Sequence, residues 1–143
     1  MTAVYGDDVA AFVAANIPGC ERGFGECQAI GFLENGQIVA GVVYHGWTPE
    51  SGVIQMSAAS LHRKWLTRER LAMIYEYPFA FCRMVMSRQA ESNTRTRRIW
   101  RSLGANEYVI PQLRSPTEAE VIFTLTAEQW QASKFKRASH GIV

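Results

Sequence analysis

A chain of 143 residues, 48% of them hydrophobic and with a formal net charge of +2, can enclose a core and falls within the size of one domain. So small a net charge excludes the overall basic excess of a dedicated nucleic-acid binder and leaves polyanion contacts to a local patch. No apolar run approaches the ~18 residues a membrane helix needs, and Asp7 and Asp8 ahead of the first short apolar run exclude the positive start of a secretion signal.

In chain order, Asp7 and Asp8 open a short helix whose Val9, Phe12, Val13 and Asn16 share a face, and Pro18-Gly19 stops it. Two β-rich runs, at about 28–34 and 37–47, flank Glu34-Asn35-Gly36, the turn chemistry of a tight hairpin. After a second turn at Thr48–Gly52, the run 52–60 reads as the third strand of a meander. From Thr67 the period changes to that of a helix: Leu71, Ile74, Tyr75 and Pro78 trace one face, Thr67 caps its start and Pro78 limits its end.

Residues 81–90 alternate Cys82, Met84 and Met86 with Arg83, Val85 and Ser87, the pattern of a strand. A helix then begins at Ser92 or Asn93 and closes on Gly104 as a left-handed cap. Its Thr96, Ile99, Trp100 and Leu103 form one face, Arg95, Arg98 and Arg101 another, and Arg97 flanks the second. Two strands near 106–112 and 119–126 flank the turn Arg114-Ser115-Pro116-Thr117, and the tail from Ala132 reads as frayed.

Together these elements predict one α/β (α+β) domain over 1–143, core 27–126. Its mixed, mostly antiparallel sheet of about six strands carries helices on both faces. Cys20, Cys27 and Cys82 are odd in number and lack zinc-ligand spacing, which points to free thiols, a cytoplasmic location and no metal site.

The order of these elements over residues 27–126 resembles the GNAT (GCN5-related N-acetyltransferase) superfamily, in particular its short phage and prophage members. A spaced motif carries the resemblance further. A core helix of that family places Asn, then a small residue, an apolar residue, Tyr, Gly and an aromatic at fixed offsets. Counted from Asn93, these fall on Thr96, Ile99, Trp100, Gly104 and Ala105. Asn, the apolar position and the glycine match, while the tyrosine is Trp100 and the final aromatic is Ala105.

The resemblance implies an acetyl-CoA-dependent N-acetyltransferase acting on a primary amine of a small molecule or protein. Acetyl-CoA is its co-substrate, inserted between the strands at 52–60 and 81–89. Ser57, Ala58 and Ala59 would lie near the thioester, where a backbone N–H polarises the carbonyl. Asn93 would hydrogen-bond the pantetheine arm, and Trp100 would line it.

The pyrophosphate would rest on Arg63, Lys64, Trp65, Leu66, Thr67 and Arg68, where two family glycines are replaced by Trp65 and Thr67. The basic side chains Arg63, Lys64 and Arg68 offset that loss by meeting phosphate directly, and Arg97 or Arg98 would reach the ribose phosphate. His62 is an anion contact rather than a base.

His45 and Glu50 are the candidate bases, near the meander edge where the acceptor enters. Trp100 cannot protonate the departing thiolate, which leaves a water, Ser92 or no acid. The rival reading is a catalytically silent GNAT-fold binding or structural protein of a phage or prophage, for which the missing glycines and tyrosine speak. The resemblance is compatible with a protein partner or a homodimer. A nucleic-acid surface would need the arginine helix to join Arg63, Lys64, Lys134, Lys136 and Arg137 in one stripe, and His140 falls in the tail.

Overall fold

A computed structural model describes residues 1–136. Its elements are β1 (Thr2–Tyr5), α1 (Asp7–Asn16), β2 (Cys27–Glu34), β3 (Gln37–Thr48), β4 (Val53–Ser60) and α2 (Arg68–Phe79), followed by β5 (Met84–Ala90), α3 (Thr94–Ser102), β6 (Asn106–Ser115), β7 (Glu118–Thr126) and α4 (Ala127–Ala132). The seven strands form one sheet in the order β1-β2-β3-β4-β5-β7-β6. Every neighbouring pair is antiparallel except β4 and β5, which run parallel.

The β2–β3 hairpin turns on Asn35 and Gly36, both with positive φ (53° and 77°), as its two-residue loop requires. Thr67 caps α2 by accepting the Arg70 N–H at 3.2 Å, and Leu71, Ile74, Tyr75 and Pro78 are its buried face. Asn93 caps α3 through the Thr96 N–H at 3.3 Å. At its other end Gly104 (φ 86°) closes a Schellman motif, in which the Gly104 N–H bonds Arg101 O and the Ala105 N–H bonds Trp100 O.

Alternation along β3 divides the core between the two faces of the sheet. Val43 joins Val9, Val13 and Ala29 beneath α1, whereas Val42 and Tyr44 join Leu71, Ile74, Trp100, Leu103 and Trp130 beneath α2, α3 and α4. Helix α1 lies directly on the strands because Gly31 and Gly41 have no side chain there. A Cβ on either would come within 2.8 Å of Val9.

The structure differs from the sequence reading in several details. The sheet has seven strands and not six, because Thr2–Tyr5 pairs with Tyr5↔Ile30 through Thr2↔Leu33 of β2; four residues are too few to show a period. Strand β5 starts at Met84, so Cys82 precedes it, and its buried side chains are Val85, Ser87 and Gln89. Arg114 and Ser115 belong to β6 and leave Pro116 and Thr117 as the turn.

Past β7 the structure adds an element that the sequence reading did not give. Residues 127–132 form α4, closed by a capping box between Thr126 and Gln129. Trp130 is fully buried and stacks on Tyr75 at 5.4 Å. Beyond it Ser133 is buried, Phe135 packs on the core and Lys136 pairs with Glu76. Arg137 and His140 lie outside the described residues.

Candidate functional site

Strands β4 and β5 pair only over Val53↔Met84, Ile54↔Val85 and Gln55↔Met86. Beyond Gln55 and Met86 the ladder stops and the two strands diverge, which leaves the facing backbone edges of Met56–Ser60 and 87–90 without strand partners. A cavity of about 1040 Å³ fills the opening. Its walls come from both faces of the sheet: Tyr75, Thr96, Ile99 and Trp100 on one side, His45 and the α1–β2 loop with Cys20 and Phe24 on the other. The cavity therefore passes through the sheet.

Strand alternation assigns the polar groups to two ends of this passage. On the α2–α3 side, β5 turns Ser87 and Gln89 inward, and both are buried. The Ser87 hydroxyl donates to Gln89 Oε1 at 2.8 Å, while Gln89 Nε2 is buried with no acceptor among the described residues. A buried amide donor without a partner costs roughly 1–3 kcal/mol, so a ligand carbonyl at this place would recover it.

On the α1 side, His45 Nε2 and Ser57 Oγ share a hydrogen bond of 2.9 Å, and Phe24 packs on the imidazole at 4.8 Å between ring centroids. Burial lowers the His45 pKa below its usual 6.5, so the ring is neutral at pH 7 and can accept a proton.

That shift fixes a sign for stability. Between the folded pKa and 6.5 the unfolded chain binds more protons at this site than the folded one, so stability rises with pH across the window and is lost as pH falls through it. Thermal unfolding from pH 7 down to 5 is expected to show this loss. A His45→Gln variant should lose less stability over the same range, because glutamine carries no titrating charge; equal slopes in the two proteins would refute the burial assignment.

Of the residues singled out from the sequence, the cavity gathers His45, Ser57, Ala58, Ala59, Trp65, Leu66, Asn93 and Trp100. Glu50 sits in the exposed turn after β3, and Arg63, Lys64, Thr67 and Arg68 also lie outside the cavity lining. The loop before α2 has no positive φ, so nothing in its backbone demands the two missing glycines. Trp65 instead plugs the core against Phe32 at 5.8 Å, and its carbonyl accepts from Arg70 Nη1 at 2.6 Å. Ser92 turns away to donate to Glu118 at 2.9 Å.

The arginines of α3 are largely occupied. Arg97 and Arg101 both bind Glu107 on β6, at 3.0 Å and 2.8 Å, and Arg95 donates to the Arg63 carbonyl across the cavity mouth. The Arg97 guanidinium is thus committed to the α3–β6 contact rather than free to reach a phosphate, whereas Arg98 stays exposed.

Gln55, Tyr75, Ser87, Arg88, Gln89, Arg114 and Glu120 add polar groups to the lining, and the sequence reading gave none of them a functional role. Ser87 and Gln89 carried one usable signal, polar residues two apart at the inward phase of a strand. Among the described residues no cluster of His, Cys, Asp and Glu could hold a metal, and no helix is long and apolar enough to cross a membrane.

A mixed seven-stranded sheet with one parallel pair that opens beside a helix cap is the fold of the GCN5-related N-acetyltransferases. Solved structures sharing it include Mycobacterium smegmatis RimJ in complex with CoA-disulfide, at TM-score 0.65 and 14% identity over 82% of this chain and 61% of that one. A GCN5-related N-acetyltransferase from Brucella melitensis matches at TM-score 0.64 and 15% identity, over 81% and 57%. Mutant forms of the spermidine/spermine N-acetyltransferase SpeG from Vibrio cholerae match at TM-score 0.62 and 8% identity, over 73% and 69%. The chain spans less than two thirds of the length of the first two. No family model and no curated protein matches it.

Proposed function

We propose that this chain is an acetyl-CoA-dependent N-acetyltransferase acting on a primary amine, and that it works in the cytoplasm, where its three unpaired thiols would persist. The observation that carries the reading is the end of β4–β5 pairing at Gln55 and Met86 with an open cavity beyond. An amide-bearing pantetheine arm laid in the gap would meet two unpaired strand edges, as an added strand does. Gln89 Nε2 supplies a buried donor for one of its carbonyls. Asn93, at the cavity wall and already capping α3 through Oδ1, keeps its amide N–H₂ for the same arm.

The α2 N-terminus and the exposed Arg63, Lys64 and Arg68 offer the pyrophosphate backbone donors and charge at the mouth. The acceptor nitrogen bonds the acetyl carbon as the carbon–sulfur bond breaks and the electron pair leaves with the thiolate. The nitrogen's proton passes to His45 Nε2, directly or through the Ser57 hydroxyl beside it. Glu50, exposed on its turn, remains a candidate base only for an acceptor that reaches across that edge.

Thermal unfolding with millimolar acetyl-CoA, against a salt control, tests the reading. Ligand at a hundredfold excess over its dissociation constant should stabilise the fold by about 2.7 kcal/mol. A Gln89→Leu variant should bind about fivefold more weakly, in line with one lost hydrogen bond of ~1 kcal/mol. No shift in the native protein would overturn the proposal.

One observation favours the rival reading of a catalytically silent binding module. Trp100 replaces the family's tyrosine and Ser92 faces Glu118, so neither supplies a proton to the thiolate. Acetyl-CoA binding without release of CoA thiol in the presence of any amine would decide for it.

A further inference from the structure

Deepening that reading to its acceptor, we propose that the amine substrate is a free amino acid or a similar small amino-carboxylate, whose carboxylate is held by Arg88 and Arg114. The inference rests on the charge and register of the α1-side end of the cavity.

Extending the Gln55↔Met86 register by two residues brings Ser57 level with Arg88 across the gap, on the same face of the sheet as His45, which pairs with Gln55. Beyond Arg88, β7 presents Glu120, and β6 returns Arg114 to the same carboxylate. Arg88 Nη2 binds Glu120 Oε2 at 3.0 Å and Arg114 Nη1 binds Glu120 Oε1 at 2.7 Å. Glu120 is buried and both of its oxygens are used. Each guanidinium spends one N–H on it, and their remaining N–H groups have no acceptor among the described residues.

Arg88, Arg114 and Glu120 all line the cavity, and at this end they set two guanidiniums against one carboxylate. Glu21, on the neighbouring loop, is exposed and occupied with the Gly19 N–H. The arrangement is a half-filled arginine fork: one carboxylate fixes the two side chains from within, and a second carboxylate would complete their charge and hydrogen bonding from the cavity. The same field repels a polycationic acceptor. With the carboxylate on Arg88 and Arg114, a substrate spanning the gap puts its amine towards Ser57 and His45, where the acetyl carbon would lie.

The test uses the full chain with acetyl-CoA and measures CoA release for the common L-amino acids, their methyl esters and spermidine. At least one free amino acid should be acetylated with kcat/KM about 10- to 100-fold above its ester and above spermidine, the effect expected of one charge-assisted pair. Arg88→Gln and Arg114→Gln each leave Glu120 one partner; each should lower that acid-to-ester ratio about tenfold through KM, with unfolding temperature monitored in parallel. Binding of the same amino acid to the protein with CoA alone, followed by NMR chemical shifts, should show the same preference without turnover.

Equal use of acid and ester, a preference for spermidine, or an unchanged ratio in both variants would overturn the proposal. Failure of acetyl-CoA to bind would instead refute the acetyltransferase reading, and the NMR arm would still report whether the fork takes a carboxylate.

Discussion

Trp100→Ala is expected to cost about 3–5 kcal/mol of stability, read from urea unfolding, because the indole is a shared wall of core and cavity. It is 5% exposed, meets Tyr75 edge-on at 5.5 Å and stacks over Phe123 at 6.1 Å. Tyr75 in turn stacks on Trp130, so truncation would loosen three aromatic neighbours on α2, α4 and β7 together. Trp100→Tyr keeps a ring in that place and should cost clearly less.

The tyrosine variant also separates packing from chemistry. It puts a titratable hydroxyl on the cavity wall, where the native indole offers an N–H that donates a hydrogen bond but does not ionise near neutrality. A gain in kcat would show that proton delivery to the leaving thiolate limits the native protein. An unchanged kcat with retained acetyl-CoA binding would show that the thiolate leaves unaided. A loss of less than about 1 kcal/mol for Trp100→Ala would contradict the place given to the indole in the core.

What was legible in the sequence was local. Asn35-Gly36, Thr67 as a cap, and the phase from Asn93 to Gly104 each bind a backbone conformation to a residue type, and the structure has all three as read. Strand β1 lacked length, and α4 hid in a capping box just after a strand. The cavity was harder to see. Its opening depends on where two parallel strands separate, and no residue type marks such a point.

The pairing of Arg88 and Arg114 with Glu120 joins residues 32 and 6 positions from that carboxylate, which only the sheet order β5-β7-β6 brings together. The family pattern, meanwhile, drew attention to glycines absent at Trp65 and Thr67. In the fold Trp65 plugs the core beside Phe32 and Thr67 takes ordinary extended backbone at the helix cap, so their departure from the pattern changes how phosphate could be met and not whether the loop forms.

His45→Gln is the variant expected to affect turnover most, by the 10²–10⁴-fold that a positioned base contributes, with acetyl-CoA binding retained. Glutamine can keep a hydrogen bond to Ser57 Oγ but cannot take a proton from the acceptor. The pH profile supplies a second readout that a merely structural role would not move. In the native protein kcat/KM should fall on the acid side as His45 becomes protonated, and because burial lowers its pKa that limb must lie below 6.5. The variant should lose this limb and keep the alkaline dependence that reports deprotonation of the acceptor amine. A profile unchanged in His45→Gln would remove His45 from the reaction and leave Ser57 and water as the route for the proton. If His45 is the base, an imidazole that burial holds below its usual 6.5 favours an acceptor that enters the cavity as the neutral amine.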